Sequence, residues 1–233
     1  MGPYLRKNKV ILFKRYIFLL FTVCFVNNAY SQNLKPNSFT KNLTVNELKN
    51  LIYVYASDFF KGRETGKLGQ KRAVKFISEY YESLKIKEAK GTEKYFQRMK
   101  LNISGNIVET ENVAAVIEGS EKPNEYIIIS SHLDHEGEKN GVIYNGADDN
   151  ASGTVGVLKI AEAFQNAVQK GYRPKRSVVF LHLTGEEKGL LGSKFYTDNP
   201  LYPLENTIVN LNIDMIGRID PRHKNNIERY IYL

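Results

Sequence analysis

The 233-residue sequence has one cysteine, Cys24, and it lies inside an apolar run near the N-terminus. That leaves no disulfide framework, and no thiol nucleophile in the chain that follows. There is no G-x-S-x-G stretch, so the serine-hydrolase elbow is absent too. GRETGKL (62–68) superficially resembles a phosphate loop. It has three residues between Gly62 and Gly66 where four are needed, and Leu68 where a Ser or Thr should bind magnesium. Internal repeats and low-complexity tracts are missing. Residues 1–31 contain no acidic residue but five basic ones, Arg6, Lys7, Lys9, Lys14 and Arg15. Without them the net charge falls from +8 to +3, with 28 basic against 25 acidic residues. So weak a positive balance gives no electrostatic case for a nucleic-acid partner.

The N-terminal basic stretch is followed by Tyr16–Val26 (YIFLLFTVCFV) and then by Ala29-Tyr30-Ser31. Eleven residues reach about half of the roughly 20 needed to span a bilayer. Basic region, short apolar core and small residues are the parts of a secretory signal peptide, with cleavage expected near Ser31–Gln32. Phe21-Thr22-Val23 before Cys24 does not suit a lipoprotein. The expected organisation is a signal peptide (1–31), a polar linker (32–43) and one domain (44–233), in a protein that is secreted or periplasmic.

Thr44, with Glu47 three residues on, forms a capping-box pattern that opens a helix through Leu48, Leu51, Ile52 and Tyr55. A second helix is expected around Ala73–Leu84. Apolar runs at 112–118, 126–131, 177–183 and 207–213 read as strands, and 152–168 and 189–196 as helices. This alternation predicts a three-layer αβα sandwich with a mostly parallel or mixed central sheet.

The chemistry-bearing residues fall just after these strands: SHLDH (131–135), GADDNASG (146–153), TGEEKGLLGS (184–193) and NIDMIG (212–217). Taken singly they are bland, since a His after a strand, an Asp before a helix and a Glu pair in a loop are common. Open α/β sheets bind ligands beyond the carboxyl ends of their strands. One sheet edge would thus gather His132, Asp134, Asp148, Asp149, Glu186, Glu187 and Asp214. So many carboxylates need cations to offset their repulsion, and one His among carboxylates suits zinc. His182, within a strand, reads as packed and hydrogen-bonded. His135 and His223 read as surface residues.

The four segments, in this order and spacing, resemble the metal-site segments of the bacterial zinc aminopeptidases, a family that includes plasma glutamate carboxypeptidase. GRETGKLGQKRA resembles its N-terminal segment. The resemblance implies an exopeptidase acting on peptides with two Zn2+ ions. His132 and Asp214 would bind the first zinc, Asp149 would bridge, and Glu187 would bind the second. Asp134 would orient His132, Glu186 would be the general base, and Asp148 would not be a ligand. The family's remaining ligand is a histidine near the C-terminus, which this sequence does not show before Leu233. The chain is therefore expected to be C-terminally truncated, with last elements missing, at most one zinc, and doubtful activity. A carboxypeptidase or dipeptidase of the same family, a glutaminyl cyclase, and a metal-less receptor-like relative are the alternatives.

Overall fold

The computed structural model describes residues 38–41 and 43–219. The expected signal peptide, residues 32–37 and 42 of the expected linker, and His223 with the terminal run ERYIYL lie outside them. Helix α1 (Val45–Tyr55) begins at the predicted cap. The Thr44 hydroxyl accepts from the Glu47 N–H and in turn donates to the Glu47 carboxylate. A short 3-10 turn (Asp58–Arg63) leads to α2 (Leu68–Ser83), which starts five residues earlier than expected. Polar Gln70, Lys71 and Arg72 obscured its periodicity.

Strands β1 (Lys87–Glu88), β2 (Phe96–Ile103) and β3 (Asn106–Ile117) follow, then β4 (Lys122–His132). A small hairpin of β5 (Gly137–Lys139) and β6 (Val142–Tyr144) precedes a wide turn at Ala147–Ser152 and helix α3 (Gly153–Gln169). The chain continues through β7 (Arg176–Leu183), α4 (Leu191–Asp198) and β8 (Thr207–Asn212). The six-stranded sheet has the order β1-β3-β7-β4-β8, with β2 also paired to β3. Strands β4, β7 and β8 are mutually parallel, whereas β3 is antiparallel to β7, β1 and β2. The sheet is thus mixed. The β2/β3 hairpin escaped the sequence reading because polar Gln97 holds a buried position in β2, which breaks the alternation of apolar and polar residues. Its turn is Ser104-Gly105, both at positive φ, with the Gly105 N–H donating to Asn102 Oδ1.

Alternate side chains of the central strands bury on opposite faces. Val113, Ala115, Ile117, Val178 and Phe180 pack with α1, α2 and α3, while Ala114, Val116, Ile128, Val179 and Leu181 pack with Tyr196 of α4 and with Tyr202. This is the three-layer arrangement. Buried Lys159 of α3 pairs with Glu162 and with Glu47 of α1, and the Tyr80 hydroxyl of α2 donates to Glu162. That network joins the three helices. On β8, Ile208 and Leu211 remain about half exposed. Parallel register aligns β4, β7 and β8, so that the chain leaves all three at the same sheet edge, at His132, Leu183 and Asn212.

His182 is fully buried in β7, as its position in a strand implied, between the Tyr81 hydroxyl (2.7 Å) and the Ser131 hydroxyl (3.1 Å). Burial lowers its pKa to about 3. In the unfolded chain it protonates near 6.5, so the unfolded state takes up the proton first and stability is lost as pH falls from about 6.5 toward 3. Comparing the metal-free protein with His182→Gln by urea unfolding should isolate this loss. The stability advantage of the wild type should shrink by up to about 1.4 kcal/mol per pH unit below 6.5. A difference that stays flat from about pH 7 to 4 would contradict it.

Candidate metal centre

His132 ends β4 with its ring buried. Its Nδ1 lies 3.1 Å from the Asp134 backbone oxygen. That carbonyl can only accept, so Nδ1 carries a proton and Nε2 is the nitrogen that faces outward. Nε2 lies 3.0 Å from Asp149 Oδ1 and 3.6 Å from Asp214 Oδ1. The Asp134 carboxylate sits 3.8 Å from Nδ1, so the backbone oxygen is the one that fixes the imidazole.

Asp149 and Asp214 come from different elements, and Asn150 joins them. Its Nδ2 donates to the Ile213 carbonyl, and its Oδ1 accepts from the N–H groups of Gly153 and Met215. Residue 153 must be glycine, because a Cβ there would come within 2.3 Å of Asn150 Oδ1 and 2.4 Å of the Ile213 oxygen. Asp148 points elsewhere, accepting from the Gly217 N–H and pairing with Arg218.

The segment carrying Glu186 and Glu187 leaves β7 through Thr184, whose N–H donates to buried Asn112 of β3. Asn112 also donates to Gly192 beyond the glutamates, so it holds the loop at both ends. Asp134, completely buried, accepts from Thr65 with Oδ2 and from the Glu186 N–H with Oδ1. It therefore joins Thr65, the loop after β4 and the glutamate-bearing segment.

His135 is not a surface residue, contrary to expectation: its side chain is 13% exposed. Nδ1 lies 2.7 Å from Glu187 Oε1 and 4.0 Å from Asp149 Oδ2. Arg63 is the cause. Its backbone oxygen accepts from the His135 N–H, and its guanidinium donates to the carbonyls of Leu133, Tyr55, Asn145 and Gly146. The chain after β4 therefore folds back along the edge rather than out into water. Sequence reasoning passed over Arg63 and Asn150 and misplaced His135. Only the last carried a usable signal, the H-x-x-H spacing of His132 and His135.

Two sets of donor atoms thus lie within 4.8 Å of one another: His132, Asp149 and Asp214, and His135, Asp149 and Glu187. Burial raises the pKa of Glu187 to about 7, with Asp149 adding repulsion. Glu186 and Asp134 are also raised, again chiefly by burial. His132 is held up at about 9, because its bond to Asp214 and its acidic neighbours outweigh burial. Imidazole nitrogen with carboxylate oxygen, an imidazole oriented with Nε2 toward the carboxylates, and carboxylates crowded beyond comfort are a donor set that fits zinc. A divalent cation beside Asp149 would draw these carboxyl pKa values back down. Two grooves, of about 960 and 450 Å³, lie along α2 and the β2/β3 hairpin and contain none of these residues. The donors occupy an open edge instead, with Asp149 and Asp214 more than a third exposed.

A mixed sheet between helices, with His, Asp and Glu donors at the ends of its parallel strands, is the arrangement of an α/β protein with a candidate metal centre at one sheet edge. Residues 112–228 match peptidase family M28, and the chain belongs to that family. It is 34% identical over 108 residues to the aminopeptidase NAALADL1 of Rattus norvegicus, a stretch covering 46% of this chain and 14% of that protein. Leucine aminopeptidase 2 of Arthroderma otae is 34% identical over 125 residues, 51% of this chain and 23% of that one. A probable glutamate carboxypeptidase of Arabidopsis thaliana is 32% identical over 109 residues, 46% and 15%. The chain matches less than a quarter of the length of each of these relatives. The aminopeptidase from Aneurinibacillus sp. strain AM-1 superposes with a TM-score of 0.59 at 16% identity, over 78% of this chain and 73% of that one. A glutaminyl cyclase from an Acidobacteriales bacterium gives 0.57 at 18%, over 74% and 60%. Both likenesses are of fold. No helix among the described residues is long and apolar enough to cross a membrane.

Proposed function

We propose that the protein is a zinc-dependent exopeptidase that removes N-terminal residues from peptides. The observation that carries this reading is Asp149, whose two carboxylate oxygens face two different donor sets. His132, Asp149 and Asp214 would hold one zinc, and Glu187 with the shared Asp149 would belong to the other. Bound zinc would polarise the scissile carbonyl and lower the pKa of the attacking water.

The chain's own groups do the rest. Glu186 is the general base: it takes the water proton and delivers it to the departing amine. It suits the task because it is adjacent to a ligand without being one, and because burial raises its proton affinity. Asp134 positions it, holding the Glu186 N–H while its own backbone oxygen orients His132. A carboxypeptidase activity is the second reading, supported by the 32% identity to a probable glutamate carboxypeptidase. Glutaminyl cyclase likeness is confined to the fold. The peptide is the only partner class proposed, with no nucleic acid.

Export to the periplasm or beyond is part of the proposal, and rests on the order of basic, apolar and small residues in 1–31. N-terminal sequencing of the native protein should begin near Gln32, and a mature start at Met1 would contradict it. For catalysis, Glu186→Gln keeps size and leaves every proposed ligand in place. Zinc content should hold while kcat on an aminoacyl-nitroanilide falls by about 10²–10⁴. Near-normal turnover would remove Glu186 from the role, and turnover of N-blocked dipeptides alone would favour the carboxypeptidase reading.

A further inference from the structure

We propose that His182 is a positioning residue for the metal ligand His132, acting through a directed chain of buried hydrogen bonds that ends on the His132 carbonyl. The role rests on the zinc-peptidase reading of that site, and the chain uses no side chain of either donor set.

The chain has four links. The Tyr81 hydroxyl of α2 lies 2.7 Å from His182 Nε2 in β7, and His182 Nδ1 lies 3.1 Å from the Ser131 hydroxyl in β4. Ser131 Oγ lies 3.4 Å from Thr154 Oγ1 of α3, the loosest link. The Thr154 hydroxyl then donates to the His132 backbone oxygen at 2.8 Å. Tyr81, His182, Ser131 and Thr154 are all fully buried, so bulk water does not compete for these atoms.

Proton accounting fixes the direction. A carbonyl only accepts, so the single Thr154 hydroxyl proton points at His132, and Thr154 Oγ1 accepts from Ser131. The Ser131 proton is thereby committed, so Ser131 accepts from His182, and Nδ1 carries the ring proton. Nε2 is left as an acceptor, which the Tyr81 O–H fills. This arrangement needs a neutral ring, and burial supplies it by lowering the His182 pKa to about 3.

The effect falls at the strand end. His132 is held at its ring by the Asp134 oxygen and at its carbonyl by Thr154. Thr154 is the second residue of α3, the helix that follows the turn carrying Asp149. The chain therefore ties the β4 donor to the segment that bears its partner carboxylate. Its far end is anchored, since the Tyr81 ring stacks on Tyr95 at 6.0 Å and lies 6.3 Å from that of Phe180. Apolar side chains of the same shape could fill these positions at little cost in stability. They would not orient the His132 peptide.

Nitrogen–proton correlation NMR of the metal-free protein reads the His182 tautomer directly. The ring should be neutral, with its proton on Nδ1, between about pH 5 and 8. A proton on Nε2 would reverse the chain and overturn the proposal. Zinc affinity by equilibrium dialysis, on variants shown to be folded by circular dichroism, tests the consequence. Thr154→Val and Ser131→Ala break the chain and should weaken zinc binding by about tenfold or more. Thr154→Ser keeps the hydroxyl and should bind zinc as the wild type does. His182→Gln loses the donor to Ser131 and should weaken zinc too, whereas His182→Asn, with an amide near the Nδ1 position, should recover it. A role confined to packing would lower the urea midpoints and leave zinc affinity of the folded variants unchanged, and that result would remove the proposal alone. Absence of zinc from the wild type would remove the peptidase reading and this role with it.

Discussion

Everything at this sheet edge answers to the repulsion among five carboxylates, those of Asp134, Asp149, Glu186, Glu187 and Asp214. Carboxylates drawn together out of water repel one another and favour protonation. Burial with this crowding already raises the pKa of three of them. The fold offsets part of the strain with fixed positive charge and oriented dipoles. Arg63, fully buried, contributes a permanent cation whose field reaches Asp134, Asp149 and Glu187, although its own hydrogen bonds go to carbonyls. Because it pairs with no carboxylate directly, it lowers the cost of the cluster without neutralising any donor. The acidic side chains stay free for a cation.

Position is enforced by backbone hydrogen bonds to a few buried polar side chains. Asn150 ties the start of α3 to the segment after β8, Asn112 clasps the loop after β7 at both ends, and Asp134 links Thr65, the loop after β4 and Glu186. Each of these side chains is at most 1% exposed. A buried polar group with its partner removed costs about 1–3 kcal/mol, so the loops cannot drift without a penalty. Parallel register supplies the coarse alignment and these three clasps the fine one. A metal centre needs its donors held to within a fraction of an ångström, and loops alone do not provide that.

Much of this was legible in residue order. Buried strands such as SVVFLHL show themselves by continuous apolar character, and strand ends in a parallel sheet share an edge, so His132, Asp149, Glu186, Glu187 and Asp214 could be gathered without coordinates. Strand β2 was harder, since polar Gln97 holds one of its buried positions beside Met99 and Leu101 and interrupts the alternation. His135 was misread for a related reason. A residue three past a strand end is usually in water, and nothing local announces that an arginine 72 positions earlier in the chain will pull the loop back. Arg63 itself sits in a glycine-bearing, charged stretch that reads as surface. Its burial follows only once the end of α1, the loop after β4 and the turn at Asn145-Gly146 are in place.

The central claim is that one carboxylate, Asp149, joins two metal positions at the parallel end of the sheet. Crystals of the zinc-loaded protein measured on both sides of the zinc absorption edge locate the metal without assumption. The account predicts two anomalous peaks about 3.5–4 Å apart, one against His132 and Asp214, the other against Glu187, with Asp149 between them. A single peak, or zinc bound away from Asp149, would contradict it.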